Sequence, residues 1–390
     1  MRLLWEELKK IWRPGVLGIL VVLGALYYLL FPSFYVEYFC NGPTAQAEFD
    51  LAAEWLPRYG TTLEPEELPG LEAQLAREIE TFGEEIAAIS EAREVGLTSY
   101  DSFFAFEQAY YAQAKQAGGQ ADMEKERLIR RTQEDTNYYR IRTLETFLVN
   151  YRWKDENPWS QQEEFFLYTP EEQARILELE AGERGCLPEP VQLSTVEYAR
   201  DLGVWIVLSV ILLLSPTLVR DRLHRTQPLQ WSSRRGRNIL RTQFAAGALS
   251  ALVLTLLNLA VYAVPFFTKG QLVFRDCSLF NWCQGTYLWF RGTYGQYLWA
   301  LAALLLVLGL TAGLLTVFLS QYSGSYVAML LKAVPLFLAV GVLFAGRLLD
   351  WPGYLTAERD LPVLPAMAAL LTLSLFLTSV TFRRQRRREG

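Results

Sequence analysis

FAAGALSALVLTLLNLAVYAVPFF, residues 244–267, and LLLVLGLTAGLLTVFL, residues 304–319, decide the class of fold. A helix on a soluble core carries a polar stripe at a period of 3.6 residues, and neither stretch has one. Apolar on every face, each reads as a helix surrounded by lipid, or by other helices within lipid. The same reading extends outward to apolar runs at 15–31, 202–219, 297–319, 326–349 and 361–382. Each is near the roughly 20 residues that a helix rising about 1.5 Å per residue needs to cross about 30 Å of hydrocarbon. The expected fold is an all-α membrane protein: six transmembrane helices with a large extracytoplasmic helical domain between the first and second. The first run is read as a retained anchor, because Glu6 and Glu7 dilute the basic start and no small-x-small cleavage site precedes Cys40.

Positive charge orients the chain, since basic loops resist translocation. Arg2, Lys9, Lys10 and Arg13 precede the first run; Arg220, Arg222, Arg225, Arg234, Arg235, Arg237 and Arg241 lie between the second and third; Arg383, Arg384, Arg386, Arg387 and Arg388 follow the last. Residues 37–201, by contrast, carry 34 acids against 15 bases. Both termini are therefore expected in the cytoplasm of a multi-pass protein of the cell membrane. The domain reading that follows is a cytoplasmic amphipathic segment at 1–13, a first span at 14–32 and an extracytoplasmic helical domain at 33–201. A second span covers 202–219 and a cytoplasmic loop 220–243. Four spans occupy 244–382 with an outer loop at 268–296, and a basic tail fills 383–390. Within that outer loop LFNWCQGTYLWF tempts a seventh span, but Arg275 and Arg291 bracket only 15 residues, too few to cross.

Cys40, Cys186, Cys277 and Cys283 all fall on the expected outer side, where disulfides persist. Four cysteines allow three pairings. Cys40 with Cys186, at the base of the outer domain, and Cys277 with Cys283, across a short loop, are the favoured pairs, and buried free thiols are the alternative.

The outer domain reads as a bundle of three to five antiparallel helices. Leu71, Leu75, Ile79, Phe82, Ile86 and Ile89 recur at intervals of three and four, which makes Leu71, Leu75 and Ile79 core positions. It contains no histidine, which removes His-activated nucleophiles and most metal ligation, so neither a catalytic role nor a metal is expected. Its aromatic clusters, Phe103, Phe104, Tyr110, Tyr111, Tyr138 and Tyr139, are read as core rather than as a binding groove. Inside the spans Lys332 is the one charge well within an apolar run; it is expected to snorkel toward the cytoplasmic head groups about 9 Å away rather than to mark a substrate path. Asn258 is expected to make an inter-helix hydrogen bond and Pro335 to kink its helix.

The loop SPTLVRDRLHRTQPLQWSSRRGRNILRTQFAAG, residues 215–247, is too basic for lipid and too patterned for a slack linker. With it come MRLLWEELKKIW broken from the first span by Arg13-Pro14-Gly15, a large insertion before the second span, and Arg225, Thr226, Gln227, Ser232, Ser233, Gly236 and Arg237 in an arginine-rich, Thr-Gln, Ser-Ser, Gly-Arg order. Taken together these features resemble the permease subunit of a type 2 ATP-binding-cassette (ABC) transporter. The resemblance implies that the loop, with Arg222, Arg225, Thr226, Gln227, Ser232, Ser233, Arg234, Arg235, Gly236 and Arg237, docks with the elbow helix onto a separate ABC ATPase. Asp221 stands where family members often carry an acid, whereas Pro228 and Trp231 stand where smaller aliphatics are common. There is no G-x-x-x-x-G-K-[ST] and no Gly-Lys dipeptide, so ATP and Mg are expected on the partner and no cofactor on this chain. A second permease copy or a homologous permease and membrane lipid are the other expected partners; nucleic acid is not. The competing function is a membrane-anchored sensor or assembly scaffold whose outer helical domain binds a partner.

Overall fold

The computed structural model describes residues 2–116, 122–182, 184–223, 239–283 and 287–389, the last four by backbone alone. Among them the chain is helical with no strand, only two isolated bridges. In chain order the main helices are α1 (Arg2–Ile11), α2 (Pro14–Leu30), α3 (Pro43–Tyr59), α4 (Leu68–Ala88), α5 (Tyr100–Gln116), α6 (Met123–Asp135) and α7 (Tyr138–Glu156). They continue with α8 (Pro170–Glu180), α9 (Glu189–Leu214), α10 (Thr217–Leu223), α11 (Ile239–Phe267), α12 (Tyr294–Gln321), α13 (Tyr326–Leu336) and α14 (Val363–Glu389). Several starts are set by side chains that satisfy orphan backbone N–H groups. Thr169 and Thr293 make capping boxes with Glu172 and Gln296, and Asp122 and Ser325 accept from the first turns of α6 and α13.

The chain divides into two compact units: Met1–Phe39, Gln192–Arg275 and Leu288–Gly390 form one, Cys40–Val191 and Asp276–Tyr287 the other. Among the described residues five helices are long and apolar enough to cross a membrane: Glu189–Leu223, Ile239–Phe267, Tyr294–Gln321, Tyr326–Leu348 and Val363–Gln385. A sixth is reached when α1 and α2, bent by 50° at Arg13-Pro14, are counted as one crossing. Pro14 starts α2 because a missing N–H is no loss at a first helical position.

The first unit is organised by close backbone approach. A Cβ on Gly309 of α12 would lie 2.1 Å from Thr255 Oγ1 of α11, one on Gly313 would lie 2.5 Å from Ala251 Cβ, and one on Gly247 would lie 2.5 Å from Val317 Cγ2. Glycines here let the two apolar helices approach closely and pack backbone to side chain. Trp205, Ile206 and Val210 of α9 fill the core beside Leu308 and Ala312. Pro335, inside α13, removes one ladder hydrogen bond, and two residues later the winding widens to a π-helix over Phe337–Phe344.

In the second unit Leu71, Phe82, Ile86 and Ile89 are buried, whereas Leu75 and Ile79 are only half-buried against the same core. Phe103, Tyr110 and Tyr138 are core side chains; Phe104 and Tyr139 flank the core and Tyr111 faces out. Arg140 ties three helices, bonding to Glu54 through two parallel N–H groups at 2.9 and 2.8 Å and to Glu78 at 2.8 and 3.0 Å. Segment 276–287 packs with this unit although it belongs, in sequence, to the connection between α11 and α12.

Candidate functional site

Most of the residues expected to meet an ATPase, Arg225, Thr226, Gln227, Ser232, Ser233, Arg234, Arg235, Gly236 and Arg237, lie outside the described residues. Arg222 is described, and so is the root of the loop. There Asp221 of α10, buried, accepts from Lys10 of α1 at 3.3 Å and from Gln243 of α11 at 3.1 Å. Lys10 also pairs with Glu7 at 2.6 Å, and Arg220 donates to the Lys10 carbonyl at 3.1 Å. Arg222 donates to the carbonyls of Gln321 and Ser323, which end α12. Trp12, just past α1, donates to Ser250 of α11 at 2.9 Å. One acid and two arginines thus join α1, α10, α11 and the end of α12 at the point from which the basic loop departs. A buried carboxylate with two donors is stable only as a set, because removing one partner leaves a desolvated charge.

The polar residues inside the candidate spans take structural partners. Lys332 Nζ donates to the Tyr322 carbonyl at 2.7 Å and to Ser323 Oγ at 3.2 Å, so its stem runs back to the turn before α13. Asn258 accepts from Trp205 Nε1 at 3.1 Å and donates to Ser209 Oγ at 2.9 Å, joining α11 to α9.

The four cysteines correct the expected pairing. Cys40, Cys186, Cys277 and Cys283 form no disulfide, and the two favoured bridges, Cys40–Cys186 and Cys277–Cys283, are absent. The neighbour of Cys186 is Cys277, and their interaction lowers the pKa of Cys186 and raises that of Cys277, while the Cys186 thiol donates to the Thr61 carbonyl at 3.5 Å. The reason is a long-range pairing that loop length does not reveal. Trp282 donates its N–H to the Gly185 carbonyl at 3.0 Å, and Asn281 donates its side-chain amide to the Leu187 carbonyl at 2.5 Å. A Cβ at Gly185 would lie 2.2 Å from the Phe280 carbonyl oxygen, so only glycine lets segment 276–287 come this close.

That segment also builds a cation site that the sequence reading missed. Lys154 of α7 is buried, and its ammonium has no hydrogen-bond partner among the described residues. Instead it faces three rings, Phe280 at 5.0 Å, Trp282 at 4.8 Å and Tyr287 at 5.1 Å from their centroids. Arg184 lies over Trp282 at 4.8 Å and over Tyr151 at 5.2 Å, while donating to Tyr151 Oη at 2.8 Å and to Asp155 at 2.7 Å. Tyr287 Oη donates to Glu180 at 2.8 Å. The one available signal was the density of aromatic residues in LFNWCQGTYLWF; the cation they enclose is 126 residues or more away in sequence.

Burial lowers the Lys154 pKa to about 8, against a weaker opposing pull from Glu180. Its folded value therefore lies below the ordinary 10.5. Between about pH 8 and 10.5 the unfolded chain holds the extra proton, and stability rises with pH across that window. Below pH 8 the full penalty of burying the charge is present, less what the rings return. Lys154→Met keeps the stem and removes the charge. The gap in unfolding free energy between this variant and the parent is expected to favour the variant by about 1–3 kcal/mol at pH 7, and to close as pH rises toward 10. Parallel denaturation series at pH 7, 8, 9 and 10 measure it; a gap independent of pH would show that Lys154 is not buried as an ion.

No group of three or more His, Cys, Asp or Glu among the described residues is placed to hold a metal ion. No family model matches the chain, and neither a curated protein nor a solved structure does.

Proposed function

We propose that the chain is the permease subunit of an ATP-driven ABC exporter, working with a separate ATPase that carries ATP and Mg. The observation that carries this reading is the fastening of the loop root. A force applied to residues 224–238 reaches α1 through Asp221–Lys10, α11 through Asp221–Gln243 and α12 through Arg222. A loop that only set topology would need its charges and none of these bonds. In this reading six spans cross the cell membrane with both termini in the cytoplasm. The helical unit lies outside, and a second permease copy completes the path.

The test is the triple variant Arg234→Glu, Arg235→Glu, Arg237→Glu. Single exposed ion pairs contribute about 0–1 kcal/mol, so three reversals are needed to turn attraction into repulsion. Co-purification with the ATPase and stimulation of its hydrolysis are expected to fall at low salt, with insertion unchanged because Arg220, Arg222, Arg225 and Arg241 still mark the loop. A variant that binds and stimulates like the parent would leave the sensor or scaffold reading in its place.

On an oxidising outer face the bridge expected to form is Cys186–Cys277, not either pairing favoured from the sequence. Non-reducing peptide maps read it directly: a Cys186–Cys277 peptide pair is the expected result, and recovery of a Cys277–Cys283 peptide would contradict it.

A further inference from the structure

Between α2, α9 and α11 lies a groove of about 530 Å³ in the first unit, lined by apolar side chains and floored by Trp205, Ser209 and Asn258. We propose that it holds one acyl chain of a phospholipid. The lining runs from Leu17 to Tyr28 on α2 and from Leu254 to Pro265 on α11. On each helix that is about 16 Å at 1.5 Å per residue, or half of a hydrocarbon core about 30 Å thick, the depth of one leaflet. A hydrocarbon chain one leaflet deep matches that length, and the apolar lining gives it contact along the whole run.

Chemistry agrees with size. The polar atoms on the floor are turned to one another, Trp205 to Asn258 and Asn258 to Ser209, so what the groove presents is hydrocarbon. Its two ends differ. Trp12 bonds to Ser250 at one, and Tyr28 meets Tyr262 edge to face at 5.7 Å at the other. At the Tyr28 end α11 stops at Phe267, and Lys269 follows, exposed, four residues after Pro265. An ammonium and a phenol at this end suit the phosphate and ester of a head group, the usual company of Lys and Tyr at a membrane surface.

The protein is purified in mild detergent, placed in vesicles of equal phosphatidylglycerol and phosphatidylcholine, re-extracted, and weighed intact by native mass spectrometry. One phospholipid per chain is expected on the parent. Ala25→Trp and, separately, Leu257→Trp place an indole in the groove from exposed positions of α2 and α11, where folding tolerates it. Each is expected to lower occupancy about tenfold, and Lys269→Glu is expected to remove any preference for phosphatidylglycerol. No retained lipid on the parent would overturn the proposal. So would equal retention by both tryptophan variants, or the loss from them of a self-dimer in place of lipid.

Discussion

Trp282→Ala is expected to destabilise the helical unit by about 3–5 kcal/mol, the range for deleting a buried indole. Trp282 is 4% exposed and is the ring that both Lys154 and Arg184 face. Its removal opens a cavity and also leaves two cations without the π-face that offsets their desolvation, which places the loss toward the upper end of that range. Segment 276–287 then keeps the Gly185 and Leu187 contacts but loses its centre. The measurable consequence is exposure of thiols as well as a lower melting temperature. Cys277, fully buried, and Cys283 are expected to react with a maleimide in the variant under conditions where the reduced parent does not. Trp282→Phe retains a ring and is expected to recover most of both effects. If alanine and phenylalanine variants melt alike, the rings do not act on the cations.

Gly309→Ala is expected to be nearly as damaging for a single methyl group. The added carbon would stand 2.1 Å from Thr255 Oγ1 and 3.2 Å from Ile206 Cγ2. Neither neighbour moves freely, since Thr255 donates to the Ala251 carbonyl at 2.8 Å inside α11 and Ile206 is fully buried. Overpacking of this kind costs about 1–3 kcal/mol, and the close α11–α12 seam places the expectation at the upper end. The companion change Thr255→Ala removes the atom in the way, so the double variant is expected to regain most of the loss, a coupling of about 1–2 kcal/mol in a double-mutant cycle. Thermal unfolding in detergent reads all four proteins. Additive losses would mean that the two helices are not seated against each other as described.

What was legible in the sequence is what short-range pattern encodes. Uniform apolar length marked the candidate spans, the period of Leu71 to Ile89 marked an amphipathic helix, and the break at Arg13-Pro14 marked the bend between α1 and α2. Lys332 and Asn258 make local choices, a stem that reaches the Tyr322 carbonyl and an amide that meets Trp205 and Ser209. The errors have one cause. Cys186 meets Cys277, and Lys154 meets Phe280, because Gly185 admits a segment nearly a hundred residues further on. No periodicity reports such a meeting. Leu75 and Ile79 show the smaller version of the same limit, since the stripe locates a face but not how completely a neighbour covers it. Asp221 was noticed as an acid in a basic loop, whereas its role as the shared acceptor of Lys10 and Gln243 depends on α1 lying against α11.

The composition of the second unit from two stretches of chain, Cys40–Val191 and Asp276–Tyr287, bears on how it can be inherited or moved. A cassette spliced in at one point carries everything it needs; this unit does not. Excised as residues 40–191 alone, it would present Lys154 bare of its rings and Gly185 facing nothing, and the fragment's apolar wall around them would invite aggregation. Recombination that exchanges only the longer stretch between related genes would yield a mismatched lock. Grafting onto another anchor therefore requires both stretches at once, and the two must change together in any lineage that keeps the unit.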